Sequence, residues 1–305
     1  MGTTRNPPVS SPTYPNIPGL VQLCLGATAI SFSAVFVKVA HVGPSVSGMY
    51  RTLFGGLLLL LATLLKREQF VPSGRSIFLC GVCGLFFALD LWFWHRSIHY
   101  IGPGLATLLA NFQVFFLAII GIILFGEKPS WRFVAAVPLA ITGLSLIVGL
   151  DLGGLAFQYK IGLIFGLMTA VWYTAYILLF RKSQNELRSL SAMANLAYIS
   201  LFTALLFFLE STFRHESLVI PDAQTWLALL AYGCLCQAVG WMLIAKGLSR
   251  TRTSLAGLIL LLQPTLSFVW DVLFFDRPTT PVEGLGAALA IGAIYMGITG
   301  RRGIS

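Results

Sequence analysis

Ten long apolar segments constrain the fold of this 305-residue chain more than any other feature. A helix that crosses a bilayer needs about 20 consecutive, mostly apolar residues, and each segment has roughly that length. Several breaks carry proline, including Gly43-Pro44 and Gly102-Pro103, because its missing N–H would be unpaired in the first turn of a helix anyway. The sequence predicts an all-α polytopic membrane protein with ten transmembrane helices. They cover roughly residues 18–40, 45–66, 76–95, 103–125, 131–150, 160–181, 190–210, 224–246, 254–275 and 281–300.

The composition argues against a soluble protein. Charged residues make up 10% of the chain, whereas soluble domains carry roughly 25%. The net charge of +9 does not indicate nucleic-acid binding, because the basic residues are not clustered on one segment. All five cysteines lie within apolar segments, which argues against a disulfide framework. Cys80 and Cys83 are therefore interpreted as small packing residues rather than as a redox pair.

The basic residues follow membrane topology. If the N-terminus is cytoplasmic, 14 of the 20 Lys and Arg residues fall in inner loops and tails and 4 in outer loops. Lys38 and Arg51 lie inside predicted helices. Positive charge gathers on the cytoplasmic side of membrane proteins, so this bias predicts that both termini are cytoplasmic.

Residues 101–129 have a second copy in residues 251–278. Gln113 matches Gln263, Pro129 matches Pro278, and each copy carries a Leu-Phe pair near its end. Five helices in each half would invert the second copy, which is a known plan of transporters that handle substrate near the bilayer midplane. The predicted organisation is a disordered tail at 1–17, a five-helix repeat at 18–150, a linker at 151–159, an inverted five-helix repeat at 160–300 and a tail at 301–305.

Polar side chains at membrane depth are costly, so each needs a partner or a wet cavity. Asn111, Gln113, Gln237 and Gln263 are such residues, and Pro264 after Gln263 frees a carbonyl group one turn earlier. Each amide could bind a ligand or simply bond a neighbouring helix. Asp90 could couple protons or pair with an amine, or else it could pair structurally with a basic residue. Lys38 and Arg51 are the candidate partners, and Asp271 carries the same two interpretations.

Aromatic residues gather where a cavity would lie. Trp172 and Tyr176 share a helix face in mid-span, away from the interfacial belt where Trp and Tyr usually collect. Phe36 and Trp241 occupy comparable places on the first and eighth predicted helices. These four line a cavity in one interpretation and only pack in the other.

Other candidate groups favour structural roles. His95 and His99 are spaced like metal ligands but lack a third ligand nearby, so no metal site is predicted. Glu127 and Asp276 stand at helix ends, where an acid can cap the next helix. Small residues should permit close helix approach, and the candidates are Gly26, Gly143, Gly166 and Gly292.

The chain resembles the EamA group of the drug/metabolite transporter superfamily over about residues 20–300. The resemblance rests on Arg51, on the run Leu124-Phe125-Gly126-Glu127, and on Pro264 twelve residues before Asp276. Phe115 stands where the family pattern has a proline in the first half, and Phe275-Asp276 replaces its second Gly-Glu pair. The resemblance implies a central cavity built from the first, third, fourth, sixth, eighth and ninth predicted helices, and no bound cofactor. It also implies a place among bacterial inner-membrane exporters of amino acids and related metabolites, including the aromatic amino acid exporters.

The expected function is therefore a secondary transporter that works by alternating access and exports amino acids or related metabolites. The expected partners are an amino-acid-like small molecule and the lipid bilayer, with no nucleic acid, cofactor or metal, and the protein is expected to be a monomer and not an enzyme. A carrier of another metabolite, sugar or drug, a channel, a membrane scaffold and an intramembrane enzyme are the alternatives. Asp90 is the candidate for coupling or amine pairing. The candidate substrate-binding residues are Trp172, Tyr176, Asn111, Gln113, Gln237, Trp241, Gln263 and Phe36.

Overall fold

A computed structural model of the chain describes residues 17–148, 157–186, 190–276 and 279–299. These residues form α-helices and one π-helical segment, with no strand among them. The predicted tails and most of the predicted linker lie outside the described residues. The helices are α1 (Ile17–Ser31), α2 (Ser33–Val39), α3 (Pro44–Leu65), α4 (Gly74–Ala110), α5 (Gln113–Phe125), α6 (Trp131–Val148), α7 (Phe157–Glu186), α8 (Ala192–Phe213), α9 (Ala223–Ala231), the π-helix (Tyr232–Gly240), α10 (Trp241–Leu248), α11 (Thr253–Leu260), α12 (Leu262–Phe275) and α13 (Pro281–Thr299).

The apolar helices agree with a membrane protein. Within the described residues, seven stretches are long and apolar enough to cross a bilayer, and three shorter apolar helices accompany them. The seven are Ile17–Val39, Pro44–Leu65, Gly74–Ser97, Phe157–Glu186, Ala192–Phe213, Ala223–Leu248 and Thr253–Phe275. The three shorter helices are Gln113–Phe125, Trp131–Leu146 and Pro281–Gly297. The chain is therefore an all-helical, multi-pass membrane protein.

The predicted break at Gly102-Pro103 is wrong. Helix α4 continues through these residues to Ala110, so the third and fourth predicted segments share one long helix. Proline removes only one intrahelical hydrogen bond, and packing against a neighbouring helix can offset that loss. Here α4 packs along α7, and Ser97 Oγ donates a hydrogen bond to the Gly162 carbonyl oxygen at 2.9 Å.

Helix pairs connect the two halves of the chain. Helix α4 packs on α7, α3 on α8, α6 on α13 and α5 on α11. A Cβ built on Gly143 would lie 2.6 Å from the Gly286 carbonyl oxygen, and one on Gly26 would lie 2.8 Å from that of Gly240. The predicted close approaches at Gly26 and Gly143 are therefore confirmed. The one at Gly292 is wrong, because no atom lies within 4 Å of its added Cβ.

The eighth predicted helix contains the least regular backbone of the structure. Its middle nine residues, Tyr232–Gly240, form a π-helix between α9 and α10. A π-helix bonds residue i to residue i+5, so side chains five apart come to the same side. Tyr232 and Gln237 are related in this way and project toward α3, which they contact through Arg51.

Candidate functional site

A cavity of about 180 Å³ opens among helices from both halves of the chain. Its wall is contributed by α1, α2, α3, α4, α7, the π-helix, α10 and α12, together with the turn between α4 and α5. The polar and charged lining residues are Ser33, Arg51, Asp90, Asn111, Thr169, Gln263 and Ser267. The aromatic lining residues are Phe87, Trp94, Tyr173, Tyr232 and Trp241. The cavity thus combines opposite charges, amides, hydroxyls and flat apolar surfaces.

Arg51 of α3 is held in a fixed orientation on this wall. Its side chain is nearly buried, its Nε donates to Gln237 Oε1 at 3.0 Å, and its Nη1 donates to the Tyr232 hydroxyl at 3.0 Å. The guanidinium carbon also lies 4.8 Å from the centre of the Tyr232 ring and 5.7 Å from that of Phe87. Planar contacts of this kind suit a guanidinium group and fix its plane.

Asp90 of α4 lies on the same wall and is almost completely buried. Among the described residues it makes no hydrogen bond and no ion-pair contact, although the charge of Arg51 is close enough to act on it. The predicted structural pairing of Asp90 with Arg51 is thus electrostatic and not a direct salt bridge. A buried carboxylate without a direct partner is costly, so a cation or a proton is expected there.

Two amides complete the polar part of the wall. Gln263 at the start of α12 donates from Nε2 to the Tyr173 hydroxyl at 3.3 Å. Asn111 lies in the turn between α4 and α5, where the helix is interrupted. Ser267, one turn after Gln263, donates to the carbonyl oxygens of Gln263 and Ser31. Asn111 therefore lies where the helix is interrupted, and Gln263 lies where a side-chain hydroxyl bonds the helix backbone.

An aromatic cluster forms one side of the cavity. Trp241 contacts Tyr176, Phe87 and Phe180 edge to face, with ring centres 4.9, 5.5 and 5.7 Å apart. Tyr176 stacks on Phe87 at 4.5 Å. Trp241 and Phe87 reach the cavity, while Tyr176 and Phe180 lie behind them and are fully buried. Such a cluster provides a rigid apolar surface.

The structure brings together four of the predicted residues at the cavity, namely Asp90, Asn111, Trp241 and Gln263. Five others, Trp172, Tyr176, Gln113, Gln237 and Phe36, are not part of its wall. Their direct contact with a substrate stays a prediction.

These five residues are engaged elsewhere. Gln113 donates to the Gly257 carbonyl oxygen at 3.3 Å and so joins α5 to α11. Gln237 accepts from Arg51 and donates to Ser200 Oγ at 2.9 Å. Trp172 packs against Phe86 and Phe93 of α4, Phe36 lies 6.1 Å from Tyr232, and Tyr176 supports Trp241 from behind. All five contact other helices, as interhelical packing residues would.

Sequence reasoning did not select Arg51, Tyr173 and Tyr232 as site residues. Arg51 was considered as a structural partner of Asp90 and as part of the family resemblance, although an arginine within a predicted helix is itself a signal of function. Tyr173 is adjacent to the predicted Trp172 and faces the cavity instead of it. Tyr232 is brought to the wall by the π-helix, which the sequence does not reveal.

A second polar cluster closes one end of the helix bundle. Glu127, which follows α5, accepts hydrogen bonds from the backbone N–H groups of Thr253 and Ser254 at 2.8 and 3.2 Å and from Ser254 Oγ at 2.5 Å. Arg181 of α7 donates to the Thr253 hydroxyl. Glu127 therefore caps α11, which is distant in the sequence. The sequence had suggested that it would cap the next helix along the chain.

No metal centre is evident in the described part of the chain, where no three His, Cys, Asp or Glu side chains come close enough to hold an ion. His95 lies beside the Phe207 ring, with ring centres 6.3 Å apart. The His99 side chain lies outside the described set.

The two halves of the chain each match one known family. The profile of the EamA-like transporter family matches residues 17–149 and again residues 160–299. The chain belongs to the EamA-like transporter family. Within the drug/metabolite transporters this is the EamA group, so the protein is a membrane transporter of small metabolites. The description of the family and the names of the relatives indicate a transporter and not an enzyme.

Curated relatives agree with this assignment. A protein of Escherichia coli (strain K12) described as a "Probable amino-acid metabolite efflux pump" is 26% identical over 65% of this chain and 68% of its own length. A Salmonella typhimurium protein with the same description is 23% identical over 65% of this chain and 68% of its own length. An "Uncharacterized transporter" of Haemophilus influenzae is 26% identical over 70% and 69% of the two chains.

A solved structure supports the fold. A crystal structure superposes on this chain with a TM-score of 0.79 and covers 91% of this chain and 95% of the other at 21% identity. At that identity the likeness concerns the fold alone. The EamA-like transporter thus has the helical architecture of a known protein and a cavity lined from both of its halves.

Proposed function

We propose that this EamA-like transporter exports amino acids or closely related small metabolites across the bacterial inner membrane by alternating access. The observation that carries the proposal is the composition of the cavity. Its wall holds a carboxyl group at Asp90, a guanidinium group at Arg51, the amides of Asn111 and Gln263, and an aromatic surface that includes Trp241. An amino acid has an ammonium group, a carboxylate and a side chain, and each finds a complementary group there.

The size of the cavity supports a small substrate. Its volume is about 180 Å³, whereas pockets for drug-sized ligands span roughly 300–1,000 Å³. A compact metabolite therefore suits the observed cavity better than a large drug. The descriptions of the Escherichia coli and Salmonella typhimurium relatives as amino-acid metabolite efflux pumps support an amino acid and the direction of export.

Alternating access is supported by the position of the cavity between the repeats. Its wall takes α1, α2, α3 and α4 from the first half and α7, the π-helix, α10 and α12 from the second. The halves also meet where α5 packs on α11, near Gln113 and Gly257. In transporters built from inverted repeats, one bundle rocks against the other around a central site. We infer ten spans in two inverted halves, with both termini cytoplasmic, because the distribution of Lys and Arg favours that topology.

Asp90 is the candidate for pairing with the amine of the substrate or for coupling transport to protons. Its burial and the lack of a direct ionic partner among the described residues support both roles. Replacement of Asp90 by Asn separates them. If Asp90 couples protons, the variant loses the response of flux to a pH gradient, and an unchanged response excludes coupling through this residue.

Substrate counterflow in proteoliposomes tests the proposed function. Vesicles loaded with unlabelled amino acid should accumulate the labelled compound transiently, and the initial rate should saturate with concentration. A channel would show neither saturation nor counterflow. Saturable flux of sugars or nucleotides without flux of any amino acid would contradict the proposed substrate, and folded protein that moves no compound would favour a scaffold.

A further inference from the structure

The Arg51 guanidinium has hydrogen-bonding capacity that the protein does not use. Of its five N–H donors, one on Nε bonds Gln237 and one on Nη1 bonds Tyr232. The other three donors have no acceptor among the described residues. Because Arg51 lines the cavity, these donors are available to a molecule inside it.

The two bonds that Arg51 does make determine its orientation. Tyr232 and Gln237 lie five residues apart on the π-helix, so both reach the guanidinium from one side. Gln237 is itself fixed by its bond to Ser200 Oγ at 2.9 Å. π-Helical segments frequently occur at functional sites, and this one presents the unused edge of Arg51 to the cavity.

The charge of Arg51 also lacks a direct counterion. Within the described part of the chain, Arg51 makes no salt bridge, and the nearby carboxyl group of Asp90 does not contact it. A cation at membrane depth without direct ionic contact is costly, so an anion in the cavity stabilises the site. A carboxylate is the anion whose two oxygens match the planar fork of a guanidinium group.

We propose that Arg51 binds the carboxylate of the transported molecule while Asp90 pairs with its amino group. The site then selects zwitterions over free amines and free acids, because either incomplete ligand leaves one buried charge uncompensated. The aromatic surface at Phe87 and Trp241 receives an apolar side chain. This inference deepens the proposed function and rests on it, since it assigns the substrate charges to particular residues.

A matched set of ligands tests this assignment. L-leucine carries both charged groups, isopentylamine lacks the carboxylate, and 4-methylpentanoate lacks the amine. L-phenylalanine, phenethylamine and 3-phenylpropionate form a second set with an aromatic side chain. Affinities are measured as thermal shifts of the purified full chain over a range of ligand concentrations, because a ligand that binds the folded state raises its stability.

The wild-type protein should bind one or both amino acids more tightly than the corresponding amine and acid. The variant Arg51→Gln should bind the amino acid on the order of 10- to 100-fold more weakly, which is the usual cost of a lost charged hydrogen bond. It should also lose the acid but retain the amine with equal or higher affinity. Asp90→Asn should show the reverse pattern.

Two further variants control for folding. Arg51→Lys keeps the positive charge but not the fork, so it should weaken binding of the amino acid and the acid by a smaller factor. Arg75→Gln removes an exposed arginine that pairs with Glu186 at 3.0 Å, and it should leave all ligands unchanged. Retained binding of the amine by either Arg51 variant shows that its cavity is folded.

The possible failures are distinguishable. Equal loss of amino acid, acid and amine in both Arg51 variants would make Arg51 a structural residue and would overturn this inference alone. Unchanged amino acid binding in Arg51→Gln would also overturn it. If no amino acid stabilises or is transported by the wild-type protein while a sugar or nucleotide is, the proposed function fails, and the assignment of Arg51 fails with it.

Discussion

The repeated stretches 101–129 and 251–278 bend at the same place by different means. In the first, the backbone N–H of Phe112 bonds the Leu109 carbonyl oxygen at 3.0 Å, and in the second Leu261 bonds Leu258 in the same way at 3.2 Å. Phe112 and Leu109 each lie 149 positions before their counterparts Leu261 and Leu258. Gln113 lies 150 positions before Gln263, so the register of the turns differs by one residue from the sequence match of the glutamines. The second stretch has Pro264 just after its turn, but the first has Phe115 there. A proline is therefore not required for the interruption.

Pro264 has no backbone N–H group, but Phe115, its counterpart in the first stretch, has one and uses it in a tight turn. Phe115 donates to the Phe112 carbonyl oxygen at 3.0 Å, three residues back, which is a bond that Pro264 cannot make. The next bond is alike in both turns, since Phe116 donates to Phe112 at 3.5 Å and Thr265 donates to Leu261 at 3.4 Å. Shorter-range bonds of this type are usual where a helix is tightened or ends. Both turns adjoin helices that pack on each other, α5 and α11, and Pro264 removes a backbone donor from only one of them.

The ends of the two stretches differ more than their middles. Glu127 at the end of the first is half-buried and caps α11, but its counterpart Asp276 is exposed. The positions that would correspond to Thr253 and Ser254 are Pro103 and Gly104, which lie inside the continuous helix α4. A continuous helix offers no free N–H groups there, so among the described residues this cap is found at one end of the two stretches and not at the other. In the proposed topology this capped end is the cytoplasmic one.

Proline substitutions should break this comparison most strongly. Leu117→Pro places proline inside α5, where the residue is fully buried, and we expect it to destabilise the protein by about 3 kcal/mol or more. Phe115→Pro falls at the existing turn and loses one hydrogen bond and the ring contact with Phe112, for which we expect about 2 kcal/mol. Thermal unfolding in detergent compares the two. Equal effects would show that the first stretch behaves as an uninterrupted helix.

Removal of the Glu127 cap should have the next largest effect. Glu127→Gln retains the size of the side chain but weakens three hydrogen bonds, and we expect a loss of about 2 kcal/mol in stability. The matched variant Asp276→Asn should change stability by less than ~0.5 kcal/mol, as exposed positions usually do. Unfolding temperatures of the two variants provide the measurement, and similar losses would contradict the asymmetry of the two ends.

Gln113 and Gln263, which the sequence comparison pairs, should differ in what their substitution changes. Gln113→Leu removes an interhelical bond to Gly257, so we expect a stability loss of about 0.6 kcal/mol with unchanged substrate affinity. Gln263→Leu alters the cavity wall, so we expect weaker substrate binding with little change in stability. Paired measurements of unfolding temperature and counterflow distinguish the roles. A loss of affinity in Gln113→Leu would restore its predicted contact with substrate.

The smallest expected effect concerns the opposite end of the bundle. The hydrogen bond from His41 Nδ1 at 2.7 Å, together with the Thr225 backbone N–H at 2.8 Å, lowers the pKa of Asp222 below its usual value. A lowered pKa in the folded state means that this stabilisation is complete above the unfolded value of about 3.9 and is lost as the pH falls through the lower folded value.

Unfolding temperatures measured between about pH 3 and pH 6 test this effect. The wild-type protein should lose stability toward the acidic limit, and Asp222→Asn, which can still cap α9, should lose less over the same range. An identical decline in both proteins would show that other groups cause the acid sensitivity.

Several features of the molecule were accessible from sequence because they depend on local composition. Runs of apolar residues indicated the membrane helices, and the matching of Gln113 with Gln263 indicated the repeat. Asp90, Asn111, Trp241 and Gln263 were selected because polar or aromatic groups in mid-membrane are unusual, and all four line the cavity. The spans themselves required only the length and hydropathy of each segment.

The remaining site residues could not be selected in this way because their direction depends on distant contacts. Trp172 and Tyr173 are neighbours in the sequence, and only the packing of α7 on α4 determines which of them faces the cavity. Gln237 appeared equivalent to Gln263 but bonds Arg51 from behind. The predicted break at Gly102-Pro103 is wrong because it too depends on distant contacts. Helix α4 continues through these residues, and its packing on α7 offsets the hydrogen bond that Pro103 lacks.

The sequence alone determined that this transporter is embedded in lipid and which segments are apolar enough to span it. Transfer of apolar residues into lipid depends on the composition of each segment by itself. Residues 101–129 and 251–278 could be recognised as a pair because residues such as Gln113 and Gln263 recur at matching positions. Only the tertiary structure decided where the helices bend, which end is capped, and that Arg51 faces the cavity. The cap and the orientation of Arg51 depend on hydrogen bonds between residues 126 and 186 positions apart, from Glu127 to Thr253 and from Arg51 to Gln237.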